Sequence, residues 1–196
     1  MEIFLCRHGQ TEHNSNGIVQ GQMESRINGK GKEQARKLRD RLAGSDISKV
    51  YSSSMTRALE TAGIVAEPHD VEIEEVDELK EVARAEFEGE RFEDLIEEIT
   101  NAETEDYLWK PEGGESLEEL KDRSVKFLNS IKEQHREERI IVISHGGTIS
   151  STLMGLLGHS ARNSYRIKQG NCSVNELKWS SDKSWSIHSV NDTSHL

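Results

Sequence analysis

Three observations predict an α/β three-layer sandwich with a mostly parallel central sheet flanked by helices. Short apolar runs alternate with amphipathic helical patterns, the most apolar run stands late in the chain, and the first run stops abruptly at a polar loop. The 196 residues make one domain's worth of chain, so a single domain over 1–196 is expected.

Residues 2–6 are the first apolar run; they end at Arg7-His8-Gly9, the pattern of a buried strand entering a loop. After a polar stretch to Asn28, Ala35, Leu38 and Leu42 recur at helical spacing and predict a helix over 31–42. Residues 49–52 read as a short strand, and Met55, Leu59, Ala62 and Val65 mark the inner side of a second helix. Val71, Ile73 and Val76 interleave with acids as in a half-exposed strand over 71–76. Phe92, Leu95, Ile96 and Ile99 then share one helical face before a break at Pro111-Glu112-Gly113-Gly114. Ser116 is a natural N-cap for the following helix, whose apolar side is Leu117, Leu120, Val125, Phe127, Leu128 and Ile131. Ile140-Ile141-Val142-Ile143 predicts a central parallel strand; it ends at Ser144-His145-Gly146-Gly147, and a helix over 148–157 follows. Two last strands are predicted at 173–178 and 184–190, with a frayed tail at 191–196.

The 36 acidic and 25 basic residues give a net charge of −11. Nucleic acid and anionic membrane both require a cationic face, so neither is expected as a partner. The charge is unevenly placed: residues 1–85 carry 12 basic and 15 acidic groups, 86–119 carry 2 and 14, and 120–196 carry 11 and 7. The acidity belongs to one segment. Cys6 and Cys172 are the only cysteines, without a CxxC pair or a His/Cys cluster, so a disulfide framework and a structural zinc are not expected, and a reduced, cytoplasmic protein is. No apolar stretch approaches the ~20 residues of a membrane span, and the N-terminus lacks the basic leader of a signal peptide.

Ligands of such sheets bind beyond the carboxyl ends of the strands. Arg7 and His8 follow the first strand, Arg57 lies one turn into the helix after the second, and His145 follows the apolar run. Two arginines and two histidines at one rim suit a dianionic phosphoryl group, because the planar guanidinium fork matches phosphate oxygens bidentately. Gly146 and Gly147 let the backbone approach an anion, and the helix they start offers free N–H groups and a positive dipole end. Such a site is electropositive without a metal; neither metal nor cofactor is expected. Cys6 is not the nucleophile of a cysteine phosphatase, since Glu12 stands where that motif needs arginine, and no G-x-x-x-x-G-K phosphate loop is present.

The stretch Cys6-Arg7-His8-Gly9-Gln10-Thr11-Glu12-His13-Asn14 resembles the R-H-G-[EQ]-T-x-x-N signature of the histidine phosphatase superfamily, with its phosphoglycerate mutase-like fold. The likeness continues through Gln20-Gly21, Gly31-x-x-Gln34-Ala35, the second arginine motif at 52–62, Leu79-Lys80-Glu81, Gly113-Gly114-Glu115-Ser116, Ser144-His145-Gly146 and Asn171-Cys172-Ser173. After Glu81, Arg84, Ala85 and Phe87 depart from the aromatic, glycine and tryptophan usual in the family. The resemblance implies a metal-independent phosphomonoesterase acting on a small phosphorylated metabolite and releasing inorganic phosphate. His8 would form a phosphohistidine and Glu81 would act as general acid, then base. Arg7, Arg57 and a protonated His145 would hold the phosphoryl oxygens, with Asn14, Gln20 and the Gly146 amide as further donors. A nearby carboxylate cluster, Glu74, Glu75, Asp77 and Glu78, is expected to help keep Glu81 protonated if close enough.

The segment at about 84–115 occupies the place of a lid, with Phe87, Phe92, Tyr107, Leu108 and Trp109 expected to shape leaving-group preference; as an unremarkable alternative it is a solvated acidic face. Gln20 and Glu115 could equally be loop or capping residues, and His13, His69, His135, His159, His188 and His195 read as surface groups. A phosphoglycerate mutase is the nearest rival, although the Glu-Arg-His-Tyr-Gly stretch of cofactor-dependent mutases is missing; a non-catalytic phosphate-binding domain is the rival from another class. A homodimer is left open. Charge alone predicts that monophosphates with neutral or cationic leaving groups are preferred to bisphosphates and nucleotides.

Overall fold

A computed structural model describes residues 1–182 and 184–196. Six strands form one sheet in the order β3-β2-β4-β1-β5-β6, comprising β1 (Glu2–Arg7), β2 (Lys49–Ser53), β3 (Ile73–Val76), β4 (Arg139–Ser144), β5 (Val174–Ser180) and β6 (Ser184–Asp192). The block β3-β2-β4-β1 is parallel, while β5 and β6 complete one edge antiparallel.

Alternation along the central strands fills both faces of the sheet. Ile140 and Val142 point into one apolar cluster with Ile3, Leu5, Leu128, Ile131, Ile149 and Leu153. Ile141 and Ile143 point into the other, with Ala35, Leu38, Leu42, Ala58, Ala62 and Val65. The first layer comes from α5 (Leu117–Ile131) and α6 (Gly146–Leu156), the second from α2 (Gly29–Leu42) and α3 (Thr56–Ala66). A strand buried on both faces has no polar side to alternate, which is why β4 reads as an unbroken aliphatic run. Ser116 caps α5 reciprocally with Glu119, as its position predicts.

A third, smaller apolar cluster lies apart, where Val19, Leu95 and Trp109 pack with Phe87, Ile99 and Ala102 under α4 (Phe92–Asn101). No helix among the described residues is long and apolar enough to cross a membrane.

The chain's end departs from expectation. The tail predicted to fray at 191–196 instead extends β6 to Asp192, whose carboxylate takes Arg41 of α2 at 2.7 Å, while His195 contacts the same guanidinium at 3.1 Å. The partner that holds it, Arg41, is 151 residues from Asp192 in sequence, so local polarity misleads. His135, read as a surface group, is buried between Tyr51 (2.8 Å) and Glu138. The helix predicted over 148–157 starts two residues earlier, directly after His145.

Candidate active site

Neighbouring strands β2, β4 and β1 deliver their carboxyl ends side by side, and with them the predicted residues. Arg7 ends β1 and His8 follows it, His145 is the N-cap residue of α6 after β4, and Arg57 sits in the first turn of α3 after β2. Arg7, His8, Asn14, Gln20, Arg57, Glu81 and Gly146 line one cavity of about 1010 Å³. His145 lies beneath its wall, fully buried, with its ring centroid 5.1 Å from that of His8.

The His8 ring contacts the Gly9 carbonyl through Nδ1 at 2.7 Å. A carbonyl only accepts, so Nδ1 carries the proton and Nε2 keeps its lone pair. Burial, reinforced by the Arg7 and Arg57 charges, holds the His8 imidazole well below its usual protonation range. Burial does the same to His145, followed by the fields of Arg57, His8 and Arg7. The imidazolium expected at position 145 runs against this direction, which favours the neutral form of the second imidazole among these cations. Its Nε2 meets the Ser53 hydroxyl at 2.8 Å, and with that hydroxyl as donor, Nδ1 carries the proton and can donate it.

The two guanidinium groups are anchored by carbonyls rather than carboxylates. Arg7 donates to Gln169 at 2.6 Å; Arg57 donates to Gly21 at 2.7 Å and Met23 at 2.9 Å. Five buried side-chain polar atoms lack a partner among the described residues, and three of them are Arg7 Nε, Arg57 Nε and His145 Nδ1. Each such orphan costs about 1–3 kcal/mol, so three donors gathered at one rim mark a place built for an anion.

Asn14 and Gln20 are oriented by their own acceptors. Asn14 Oδ1 takes the Thr11 amide at 3.2 Å and Asn171 Nδ2 at 3.1 Å; Gln20 Oε1 takes the hydroxyls of Thr11 (2.9 Å) and Ser25 (2.7 Å). Each amide is left with its NH2 as a donor. Asn171, which sequence reasoning noted only as part of a matching stretch, also donates to the His8 carbonyl at 3.1 Å and so fixes both ends of the motif.

Glu81 is held by donors, not by carboxylates. Its Oε1 accepts from the Val82 amide (3.0 Å) and the Thr148 amide (3.1 Å), and Oε2 accepts from the Gly147 amide (3.0 Å), while the Thr148 hydroxyl donates to the Lys80 carbonyl at 2.9 Å. It thereby caps α6, and a Cβ at Gly147 would lie 2.6 Å from it. The expected influence of Glu74, Glu75, Asp77 and Glu78 is not supported. All four are exposed and none lines the cavity; Glu74 pairs with Lys49 and Asp77 with Lys80. Glu115 stands outside the cavity on Arg123 (2.6 and 2.8 Å), and that arginine also holds the Glu78 and Glu81 carbonyls.

Of the five aromatic or apolar residues expected to shape the leaving-group side, only Phe92 lines the cavity. Phe87 and Trp109 pack edge to face at 5.7 Å within the small cluster, and Leu95, Ile96 and Ile99 of α4 supply the wall instead. His13, taken as a surface group, also reaches the cavity. Ala85 adopts φ +47° at the position where the resemblance puts glycine, so the loop keeps its left-handed turn despite the replacement.

The profile of the histidine phosphatase superfamily (branch 1) matches residues 3–193. A metal-independent phosphoserine phosphatase of Arabidopsis thaliana is 36% identical over the whole chain and 83% of its own length. A probable phosphoglycerate mutase, GpmB, of Salmonella choleraesuis is 29% identical over the whole chain and 95% of its own. Among solved structures, a phosphoserine phosphatase of Entamoeba histolytica in complex with 3-phosphoglyceric acid superposes with a TM-score of 0.88 at 26% identity, covering 100% of this chain and 98% of that one. Taken with the converging arginines and histidines, these matches show that the chain belongs to the histidine phosphatase superfamily, branch 1.

Proposed function

We propose that this protein is a metal-independent phosphomonoesterase that hydrolyses a small phosphorylated metabolite through a phosphohistidine at His8. The observation that carries the reading is the set of buried, unpartnered donors on Arg7, Arg57 and His145 beside an imidazole whose Nε2 lone pair is free.

The cations at the site belong to the chain itself. Arg7 and Arg57 hold the phosphoryl oxygens, joined by Nδ1–H of His145, the Gly146 amide and the side-chain NH2 groups of Asn14 and Gln20. His8 Nε2 attacks phosphorus, the ester P–O bond breaks, and the leaving oxygen takes a proton from Glu81. Water then gives a proton to Glu81 and attacks phosphorus; the P–N bond breaks, releasing phosphate and neutral His8. Oε2 of Glu81, with one amide partner against two amides on Oε1, is the oxygen freer to exchange that proton. The segment at about 84–115 acts as a lid, its α4 face covering the leaving group.

Turnover of a chromogenic aryl phosphate with and without chelator tests this. Activity that survives chelation and disappears in His8→Ala is expected; activity abolished by chelator would refute the metal-free reading. Incubation with phosphoglycerate separates the mutase alternative: release of phosphate is expected, and isomerisation without release would replace hydrolysis with transfer.

A further inference from the structure

Asn175 of β5 is fully buried, and all four hydrogen-bonding capacities of its side-chain amide are used. Nδ2 donates to the Leu5 carbonyl and to Gln169 Oε1, each at 2.9 Å; Oδ1 accepts from Gln169 Nε2 at 3.1 Å and from the Asn191 amide at 2.9 Å. A carbonyl only accepts and a backbone N–H only donates, so Leu5 and Asn191 fix which way this side chain is turned. A buried polar group is costly unless satisfied, and a completed network holds its members in one arrangement. This network holds the loop of residues 169–173, where the Ser173 hydroxyl also donates to Gln169 Oε1 at 3.0 Å. The loop reaches the phosphoryl cradle through one peptide unit. The carbonyl between Gln169 and Gly170 accepts from Arg7 Nη1 at 2.6 Å, and the N–H of that same unit donates to Asn191 Oδ1 at 2.6 Å. Turning the unit over would carry the carbonyl away from the guanidinium, and Gly170, with no Cβ, offers little resistance of its own. Asn191 supplies that resistance, and it is itself held. It stands near the end of β6 with φ +53°, a left-handed conformation that asparagine tolerates better than most residues, and its neighbour Asp192 is tied to Arg41.

We propose that Asn191 is a positioning residue of the phosphoryl site: by holding the N–H end of the Gln169–Gly170 peptide it keeps the opposite carbonyl on Arg7 and so aims that guanidinium at the phosphoryl group. The proposal rests on the phosphomonoesterase reading. Asn191 does not line the cavity and acts without touching substrate. The Gln169 carbonyl is the hydrogen-bond partner of the Arg7 guanidinium among the described residues, while Arg7 Nε stays open for the anion. A shift of that single anchor therefore changes where the open donor points. The end of β6, remote in sequence from the nucleophile, becomes part of the machinery that binds phosphate.

The test is a double-mutant cycle on kcat/KM for an aryl phosphate. Asn191→Gly keeps the left-handed backbone available and removes the acceptor. It is expected to lower kcat/KM about 5–30-fold, the range of a weakened hydrogen bond to a charged group, chiefly through KM. Asn191→Asp keeps an acceptor for the Gly170 N–H and should stay within about 3-fold of the wild type. In an Arg7→Ala background Asn191→Gly should add no further loss, because Asn191 acts through that guanidinium; a merely structural contribution would lower both backgrounds by the same factor. Unchanged kinetics in Asn191→Gly, a loss that Asn191→Asp shares in full, or an equal loss with and without Arg7 would overturn the proposal. If the wild type hydrolyses the aryl phosphate but the cycle shows no coupling, the role of Asn191 alone is refuted; if it hydrolyses no phosphomonoester, the functional reading falls with it.

Discussion

The floor of the cavity and the segment above it are built in opposite ways. Arg7, His8, Arg57 and His145 stand on strand ends and a helix start backed by the two large clusters that fill both faces of the sheet. The segment carrying Arg84 and α4 rests on one small cluster around Val19, Leu95 and Trp109, and its Phe92 and Ile96 are 54% and 44% exposed. Opening the floor means disrupting the core of the molecule, whereas displacing the upper segment disturbs few apolar contacts. In the proposed mechanism that difference gives a preorganised cradle for the reacting group and an adaptable wall for the variable group.

Removing the proposed nucleophile should have the largest effect. His8→Ala is expected to lower kcat by about 10⁴-fold or more, because the covalent route has no substitute. Arg57→Ala, which removes one charged donor from the cradle and leaves the nucleophile in place, should cost about 10²–10³-fold in kcat/KM for aryl phosphate. An Arg57→Ala enzyme with unchanged kinetics would mean that the floor is not the phosphoryl site.

Stability separates the two regions next. Leu128→Ala, in the large cluster, should cost about 2–5 kcal/mol in urea unfolding. Leu95→Ala should instead leave most of the global stability intact, speed amide hydrogen exchange across α4 and raise KM more than it lowers kcat. Equal global losses would show that the upper segment folds as one unit with the sandwich.

The smallest expected effect is on pH dependence. Both site histidines titrate below the ordinary value when folded. Between about pH 6.5 and their folded values the unfolded chain binds protons that the native one does not, so stability should fall as pH drops through that window. Urea midpoints at pH 7.5 and 5.5 should show this fall, with a shallower one in His8→Asn; a flat wild-type response would contradict the neutral pair.

The floor was the legible half. β4 announced itself because a doubly buried strand must be aliphatic throughout; Arg7, His8 and His145 stand at strand ends next to Gly9 and Gly146, and Arg57 follows β2 in the first turn of its helix. What escaped depends on contacts distant in sequence. Glu81 as the cap of α6, Asn171 as the brace between His8 and Asn14, and the tail bound to Arg41 are tertiary facts with no local pattern. The upper segment showed its amphipathic helix through periodicity, but its acidity concealed a buried arginine, Arg84, which lies over the ring of Trp109 well downstream.

Trapping the phosphorylated enzyme tests the central claim most directly. Rapid quenching during turnover of a labelled phosphomonoester should give an acid-labile, base-stable adduct on the peptide that contains His8, and none in His8→Ala. Undiminished turnover without such an adduct, or an adduct that persists in His8→Ala, would contradict the mechanism.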